Sequence, residues 1–322
     1  MSLEFDFISS LRAIASDPAA RGLGDDAAVL EIGGVTLVLT HDMIVEGIHF
    51  LSSDPPEDVG WKLVAVNLSD LAGKGAEPVG LLMGYTLGED DWNRRFAEGF
   101  AEAAEAFAAP LLGGDTVSVL PGDRRAFGLT AIGRSDGPVP SRAGAQAGDT
   151  LWVSGTIGDA GAGLRIATGE IEGAEALVAR YRRPQPRLAL GQALAPIVGA
   201  MMDVSDGLLI DAARMAKASG LALTIDLAAV PLSAHYVAAC GDDLRTRTDA
   251  AIAGDDYELL FAAPVDAAAA IRAAAARCGL AVTPVGSFAA GRELRVFHAG
   301  AEVPLPRSLG WQHGTAGPPA AS

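Results

Sequence analysis

Cysteine is scarce in this chain: Cys240 and Cys278 are the only two among 322 residues. They lack C-x-x-C spacing and form no disulfide framework, which fits a reducing cytoplasm. Basic residues are outnumbered, 24 Lys and Arg against 40 Asp and Glu, for a net charge of −16. That balance argues against nucleic acid as the main partner. No apolar run is long and charge-free enough to span a bilayer, so no membrane partner is expected. The opening Met1-Ser2-Leu3-Glu4-Phe5-Asp6 carries acid and no basic stretch, so it does not read as a secretory signal. No Walker A sequence occurs either.

What the chain has is apolar bulk and acid. Half of its residues are hydrophobic, enough to bury the cores of two ordinary domains. Helical spacing over 4–16 puts Phe7, Leu11 and Ile14 on one face. Strands are expected at 27–32 and 35–40, a helix at 57–72, a strand at 79–87, a helix at 90–108 and a strand at 125–133. The Gly- and Pro-rich segment 138–148 reads as a linker between a domain at 1–137 and a second at 149–313, with a disordered tail at 314–322. The second half opens on a strand at 150–155. Helices are expected near 159–168, 173–181, 186–195, 208–218 and 266–277, with strands at 221–226, 257–262, 281–287 and 293–297. This alternation predicts a two-domain α/β (α+β) fold.

The acid has two readings. One is a solvated surface that keeps the protein soluble. The other is a set of ligands for hard cations. Six loops place Asp beside Gly or at the end of an apolar run: Gly24-Asp25-Asp26, Thr40-His41-Asp42, Asn67-Leu68-Ser69-Asp70, Gly113-Gly114-Asp115-Thr116, Asp203-Val204-Ser205-Asp206-Gly207 and Gly254-Asp255-Asp256-Tyr257-Glu258. Asp and Gly are ordinary turn residues, so each loop alone is weak. Together they suit a polyphosphate held through several Mg²⁺ ions, which take carboxylate and phosphate oxygens. The segment Gly155-Thr156-Ile157-Gly158-Asp159-Ala160-Gly161-Ala162-Gly163 has the glycines of a phosphate loop but no Lys; its glycines equally allow close helix packing.

In this order the motifs G-D-D-A-A, D-x-x-V-E-G-x-H-F, W-K-x-x-A-V-N-x-S-D-x-A, G-G-D-T, S-G-T-x-G-D, D-x-S-D-G-L and G-D-D-Y-E-L resemble the thiamine-monophosphate kinase family, over roughly 7 to 311. The wider superfamily includes aminoimidazole ribonucleotide synthetase, selenophosphate synthetase and the hydrogenase-maturation dehydratase. The resemblance implies ATP-dependent phosphorylation of thiamine monophosphate to thiamine diphosphate. It implies an N-terminal α/β domain whose sheet pairs with that of a second subunit, making a homodimer, and a C-terminal α/β domain covering the nucleotide site. By matching positions, Asp26, Thr40, His41, Asp42, Asp70, Asp115, Asp203 and Asp206 would surround Mg²⁺. Gly114, Asp115, Arg142 and Ser205 would contact ATP. His49, Glu258 and Trp311 would contact the thiamine phosphate.

Two positions depart from the family pattern. His41 stands where the family often has Thr or Ser, and matters only if a side-chain oxygen is the ligand. Lys74 stands where the family usually has Met; it could reach a phosphate, but a solvated side chain is the expectation. Several assigned residues have a plain alternative: Arg142 as a solvated loop residue, Ser205 as a helix N-cap, His49 as gap filler, Trp311 as packing, Glu258 as an edge residue facing water. No residue reads as an obligatory general base, since the acceptor is already an ionised phosphate; metals and Arg142 would stabilise the transition state, with no covalent enzyme intermediate. The competing functions are a related ATP-dependent synthetase of the same superfamily and a non-catalytic nucleotide-binding homologue. A selenophosphate synthetase would want a reactive Cys near the N-terminus, and none is there.

Overall fold

A computed structural model of the chain describes residues 3–312 apart from 119 and 121. The expected tail at 314–322 lies outside these residues. In chain order the first half comprises α1 (Leu3–Leu11), β1 (Ala28–Ile32), β2 (Val35–Val45), α2 (Pro56–Gly73), β3 (Glu77–Leu87), α3 (Asp90–Ala106), β4 (Leu111–Ser118) and β5 (Ala126–Ser135). The second half comprises β6 (Thr150–Ser154), α4 (Asp159–Ala167), α5 (Glu175–Arg182), α6 (Leu188–Leu194), β7 (Ala200–Asp203), α7 (Leu208–Ser219), β8 (Leu221–Asp226), α8 (Ala234–Cys240), α9 (Leu244–Ile252), β9 (Leu259–Ala263), α10 (Ala268–Arg277), β10 (Val282–Ala290), β11 (Leu294–His298) and β12 (Ala301–Val303). Among the described residues no helix is long and apolar enough to cross a membrane.

The first sheet runs β1-β2-β5-β3-β4, antiparallel except for the β3–β4 pair. Its strands alternate, as a sheet covered on one face must. Val38, Ile44, Leu81, Tyr85, Phe127, Leu129 and Ala131 turn inward to α2 and α3. An aromatic stack fills the contact, with Tyr85 and Phe96 each 4.8 Å from Phe127, centroid to centroid. The opposite face carries Met43, Val79, Leu82 and Leu112 exposed. The expected end of α1 is early: the helix stops at Leu11, and Phe7 and Ile14 are exposed.

The second sheet, β12-β11-β8-β10-β6-β9-β7, is mostly antiparallel, with β8 and β11 parallel. β9 is buried on both faces, Leu260 and Ala262 toward the α7 side, Leu259, Phe261 and Ala263 toward α6 and α10. A continuous apolar run without alternation is what such a strand requires.

The two halves meet across α2, all of whose residues are buried except Glu57 and Asp58. Glycines set its spacing. A Cβ at Gly99 on α3 would lie 1.8 Å from the Glu57 carbonyl oxygen, and one at Gly191 on α6 would lie 2.0 Å from that of Ala72. The linker is pinned rather than loose: Arg21 donates to the carbonyls of Val139 (3.1 Å) and Pro140 (3.2 Å), and Met201 N–H donates to Ser141 O (3.2 Å).

Candidate active site

β2 ends beside α2, and strand periodicity sorts its last residues. Thr40 and Asp42 point to α2; His41 points away. Thr40 Oγ1 contacts the Asp70 carboxylate and the Asp26 carbonyl oxygen (3.2 Å). Asn67 Oδ1 accepts from the Asp42 backbone N–H (2.8 Å). Asp203, at the end of β7, accepts from Ser69 Oγ (2.5 Å). The result is a cluster of Asp26, Asp70 and Asp203 with one carboxylate oxygen from each within 4.8 Å of the others.

Charge is distributed unevenly over this cluster. Burial acts to raise the Asp26 pKa, but Lys74 and Arg142 outweigh it and hold the carboxyl below its usual value. Lys74 Nζ is 2.6 Å from Asp26 and 2.5 Å from Asp25, and donates to Met201 O (3.1 Å). Burial likewise opposes ionisation of Asp25, and Lys74 and Arg21 again win. On the other side no cation among the described residues answers. Burial first, then the charges of Asp42, Asp203 and Asp26, push Asp70 well up. Burial, then Asp26, pushes Asp203 up to about 8. One hydroxyl proton serves one acceptor, so the Thr40 bridge is complete when Asp70 keeps a proton.

This donor set fits Mg²⁺: carboxylate and hydroxyl oxygens, no His or Cys side chain, and two acids short of counter-charge. A measurable consequence follows for pH. The folded protein holds a proton on Asp203 that the unfolded chain releases near its ordinary value of 3.8. Stability from this group is therefore full below about pH 4 and lost as pH rises to about 8. In EDTA the melting temperature should fall between pH 5 and 8, and saturating Mg²⁺ should flatten that fall. A pH-independent melting temperature in EDTA would contradict the assignment.

Next to the cluster lies a cleft of about 740 Å³. Asp42, Met43, Ile48 and His49 line it from the first half, Ser205, Asp206, Asp255, Tyr257 and Trp311 from the second. His49 Nδ1 accepts from Val45 N–H (3.1 Å), which leaves Nε2–H as the donor of the neutral ring. Trp311 is 43% exposed, and its backbone N–H donates to Asp206 O (2.9 Å). The Ser205 and Asp206 N–H groups donate to Asp211 Oδ2 (3.1 and 3.0 Å). Asp211 is fully buried, and burial lifts its pKa to about 6. Arg214 pairs with Asp206 and, at 2.7 Å, with Asp211.

Of the residues singled out in the sequence, Asp26, Thr40, Asp70 and Asp203 come together, with Arg142 paired to Asp26. Asp42, His49, Ser205, Asp206 and Trp311 line the cleft. Others are placed elsewhere. The His41 ring lies on the open sheet face, Nδ1 2.9 Å from Thr130 Oγ1, so its side chain is no ligand of this cluster. Gly114 and Asp115 sit on β4, an exposed edge strand rather than a loop. Through the pairs Met43–Gly128, Gly128–Gly84 and Gly84–Asp115, Asp115 is level with the end of β2 but three strands away, about 14 Å at ordinary strand spacing, and on the open face.

Glu258 faces neither water nor the cleft. It is fully buried, held by Arg180 (2.8 Å), Arg187 and Ser154 (2.6 Å). Lys74 is buried, not solvated, and Arg142 is only 21% exposed at its side chain. The α4 N-terminus is filled by Asp256, which accepts from Gly158 N–H (2.8 Å) and Ala160 N–H (3.4 Å). A Cβ on Gly163 would lie 2.0 Å from Leu177 O. The glycines there serve packing.

Sequence reasoning passed over Lys62 and misjudged Lys74, yet a signal was present. Lys62 and Asp70 of α2 and Lys74 at its C-cap fall on one i+4 stripe of a largely apolar segment, where charge needs buried partners.

These two halves are those of a known architecture. Residues 24–135 match the family "AIR synthase related protein, N-terminal domain", and 146–299 match "AIR synthase related protein, C-terminal domain". Within it, the chain belongs to the thiamine-monophosphate kinase family, a family of phosphotransferases. It is 42% identical to the thiamine-monophosphate kinase of Caulobacter vibrioides over 97% of this chain and 91% of that protein. The solved structure of AaThiL complexed with AMPPCP and TMP superposes with TM-score 0.83 at 32% identity, covering 96% of each chain. The thiamine-monophosphate kinase structure from Stenotrophomonas maltophilia gives TM-score 0.77 at 36% identity, over 92% of this chain and 96% of that one.

Proposed function

We propose that the protein transfers the γ-phosphoryl group of ATP directly to the phosphate of thiamine monophosphate, giving thiamine diphosphate and ADP. The observation that carries this reading is the Asp26–Asp70–Asp203 cluster beside a cleft faced by His49 and Trp311. Asp26, Asp70, Asp203 and Asp42 would hold Mg²⁺, which when bound supplies charge neutralisation for the polyphosphate. Arg142, released from Asp26, can grip a phosphate oxygen pair. Ser205 and Asp206 border the same space, their backbone fixed by Asp211. His49 Nε2–H donates to the acceptor phosphate, and the Trp311 ring with Ile48 offers apolar surface to a heterocycle.

No base is needed, because the acceptor oxygen is already ionised near neutral pH. Glu258 acts at a distance: it fixes Arg180, which donates to the Asp256 carbonyl (3.3 Å) behind the cleft. Gly114 and Asp115 lie apart from the cluster, on the open face of the first sheet. We assign that apolar face to a second copy of the chain, paired sheet to sheet. Two free cysteines support a cytoplasmic setting.

Incubation with thiamine monophosphate, ATP and Mg²⁺, with products separated chromatographically, tests the reading. Formation of thiamine diphosphate is expected, and its absence under varied conditions would overturn it. His49→Ala should raise KM for thiamine monophosphate about tenfold, the cost of one charge-assisted hydrogen bond, and leave KM for ATP unchanged. An equal rise in both would remove His49 from the acceptor side.

A further inference from the structure

We propose that Lys62, an α2 residue outside the reaction chemistry, is the positioning residue that sets the acceptor side of the cleft; this rests on the acceptor assignment above. Lys62 is 2% exposed. A buried ammonium is costly unless every proton is met, and an apolar side chain would pack α2 as well. Its partners say what it does instead. Nζ donates to the His49 carbonyl (2.9 Å), pairs with Asp255 Oδ2 (2.7 Å) and lies 4.2 Å from the Tyr181 ring centroid. His49 and Asp255 line opposite walls of the cleft, one from each half of the chain. One ammonium thus fixes the distance between those walls.

The wall it holds in the second half is strained. Asp255 (φ 69°) and Tyr257 (φ 51°) both adopt left-handed backbone, which non-glycine residues avoid. Such conformations persist where the surroundings over-determine them. Here Asp255 N–H donates to Ser205 O and Tyr257 N–H to Val204 O, each at 2.8 Å, and Tyr257 Oη donates to Asp255 Oδ1 (3.1 Å). Lys62 takes the other oxygen of the same carboxylate. On the facing wall, the turn after His49 is closed by Asp54, which accepts from Leu51 N–H (2.8 Å), Tyr181 Oη (2.9 Å) and Arg182 Nε (2.9 Å). Tyr181 therefore touches both Lys62 and the turn that carries His49. Tyr257 already packs into the core of the first half, and the ammonium adds a direct polar tie between the two loops.

The test uses the full chain and compares Lys62→Met and Lys62→Arg. Lys62→Met should raise KM for thiamine monophosphate about tenfold or more while KM for ATP stays within about twofold. Hydrogen exchange should quicken at 254–257 and 46–50 but not in α3. Lys62→Arg, which keeps the charge, should recover part of both effects. If Lys62→Met does not fold, Lys62→Arg and Asp255→Asn carry the test, and each should quicken exchange at both loops. Unchanged exchange there, or an equal rise in both KM values, would overturn the proposal. If the wild-type protein makes no thiamine diphosphate, the function reading fails by itself, and the exchange measurement still decides whether Lys62 ties the two loops.

Discussion

Asp42→Asn should cut kcat roughly a thousandfold, the scale of removing one charge-stabilising group from a phosphoryl-transfer site, and leave the melting temperature within about 2 °C. The side chain is exposed at the end of β2 while its backbone N–H is fixed by Asn67, so the fold does not depend on its charge. Its neighbours do feel that charge: after burial, Asp42 is the largest influence raising Asp70. It stands between the three-carboxylate cluster and the cleft, where polyphosphate and acceptor would meet. The amide keeps the shape and loses the charge. In EDTA the variant should melt slightly higher than wild type, because Asp70 is relieved of a repulsion. Wild-type turnover would remove Asp42 from the site; an unfolded variant would make it structural.

The second large effect is on stability. Lys74→Met should destabilise the metal-free protein by about 3 kcal/mol, because removing one partner leaves buried carboxylates uncompensated, and lower its melting temperature by roughly 4–5 °C. The figure is held below the usual upper range because Arg21 still pairs with Asp25 and Arg142 with Asp26. Mg²⁺ should restore more of the loss in the variant than it adds to wild type, since a cation binding only the folded state stabilises by mass action. Calorimetric scans of both proteins in EDTA and in Mg²⁺ check this. Equal melting temperatures in EDTA would mean that Lys74 is not the counter-charge of this cluster.

Much of the architecture was legible in the sequence, and the reasons differ by element. α3 carries a long, strongly periodic run, and α2, β3 and β5 carry long apolar ones bounded by turn residues; those patterns fix their positions. Gly113-Gly114-Asp115 is turn chemistry and predicts a loop, but pairing along β3 overrides that local preference and makes β4 of it. His41 could have been resolved from the sequence, since period-two alternation puts Thr40 and Asp42 on one face and the residue between on the other. Glu258 could not. Its guanidinium partners are 78 and 71 residues away in the chain, and nothing local distinguishes a carboxylate that faces water from one enclosed by two arginines. Lys74 failed for a similar reason: its nearest carboxylates, Asp25 and Asp26, arrive from a different loop.

The enclosure of α2 has a consequence for how this chain can vary. A helix with one face in water drifts freely along that face. Here only Glu57 and Asp58 are not buried, and both are held in ion pairs, by Arg95 and Arg183; every other side chain is answerable to α3, to α5, to α6, to one of the two sheets or to the site. A saturation scan should therefore register 59–73 as an unbroken band of intolerance, wide in chemistry and without the every-third-or-fourth-residue rhythm of an ordinary helix. Divergence has to accumulate at the rim, in α1 and in the outer strands β11 and β12, while the axis of the molecule stays nearly still.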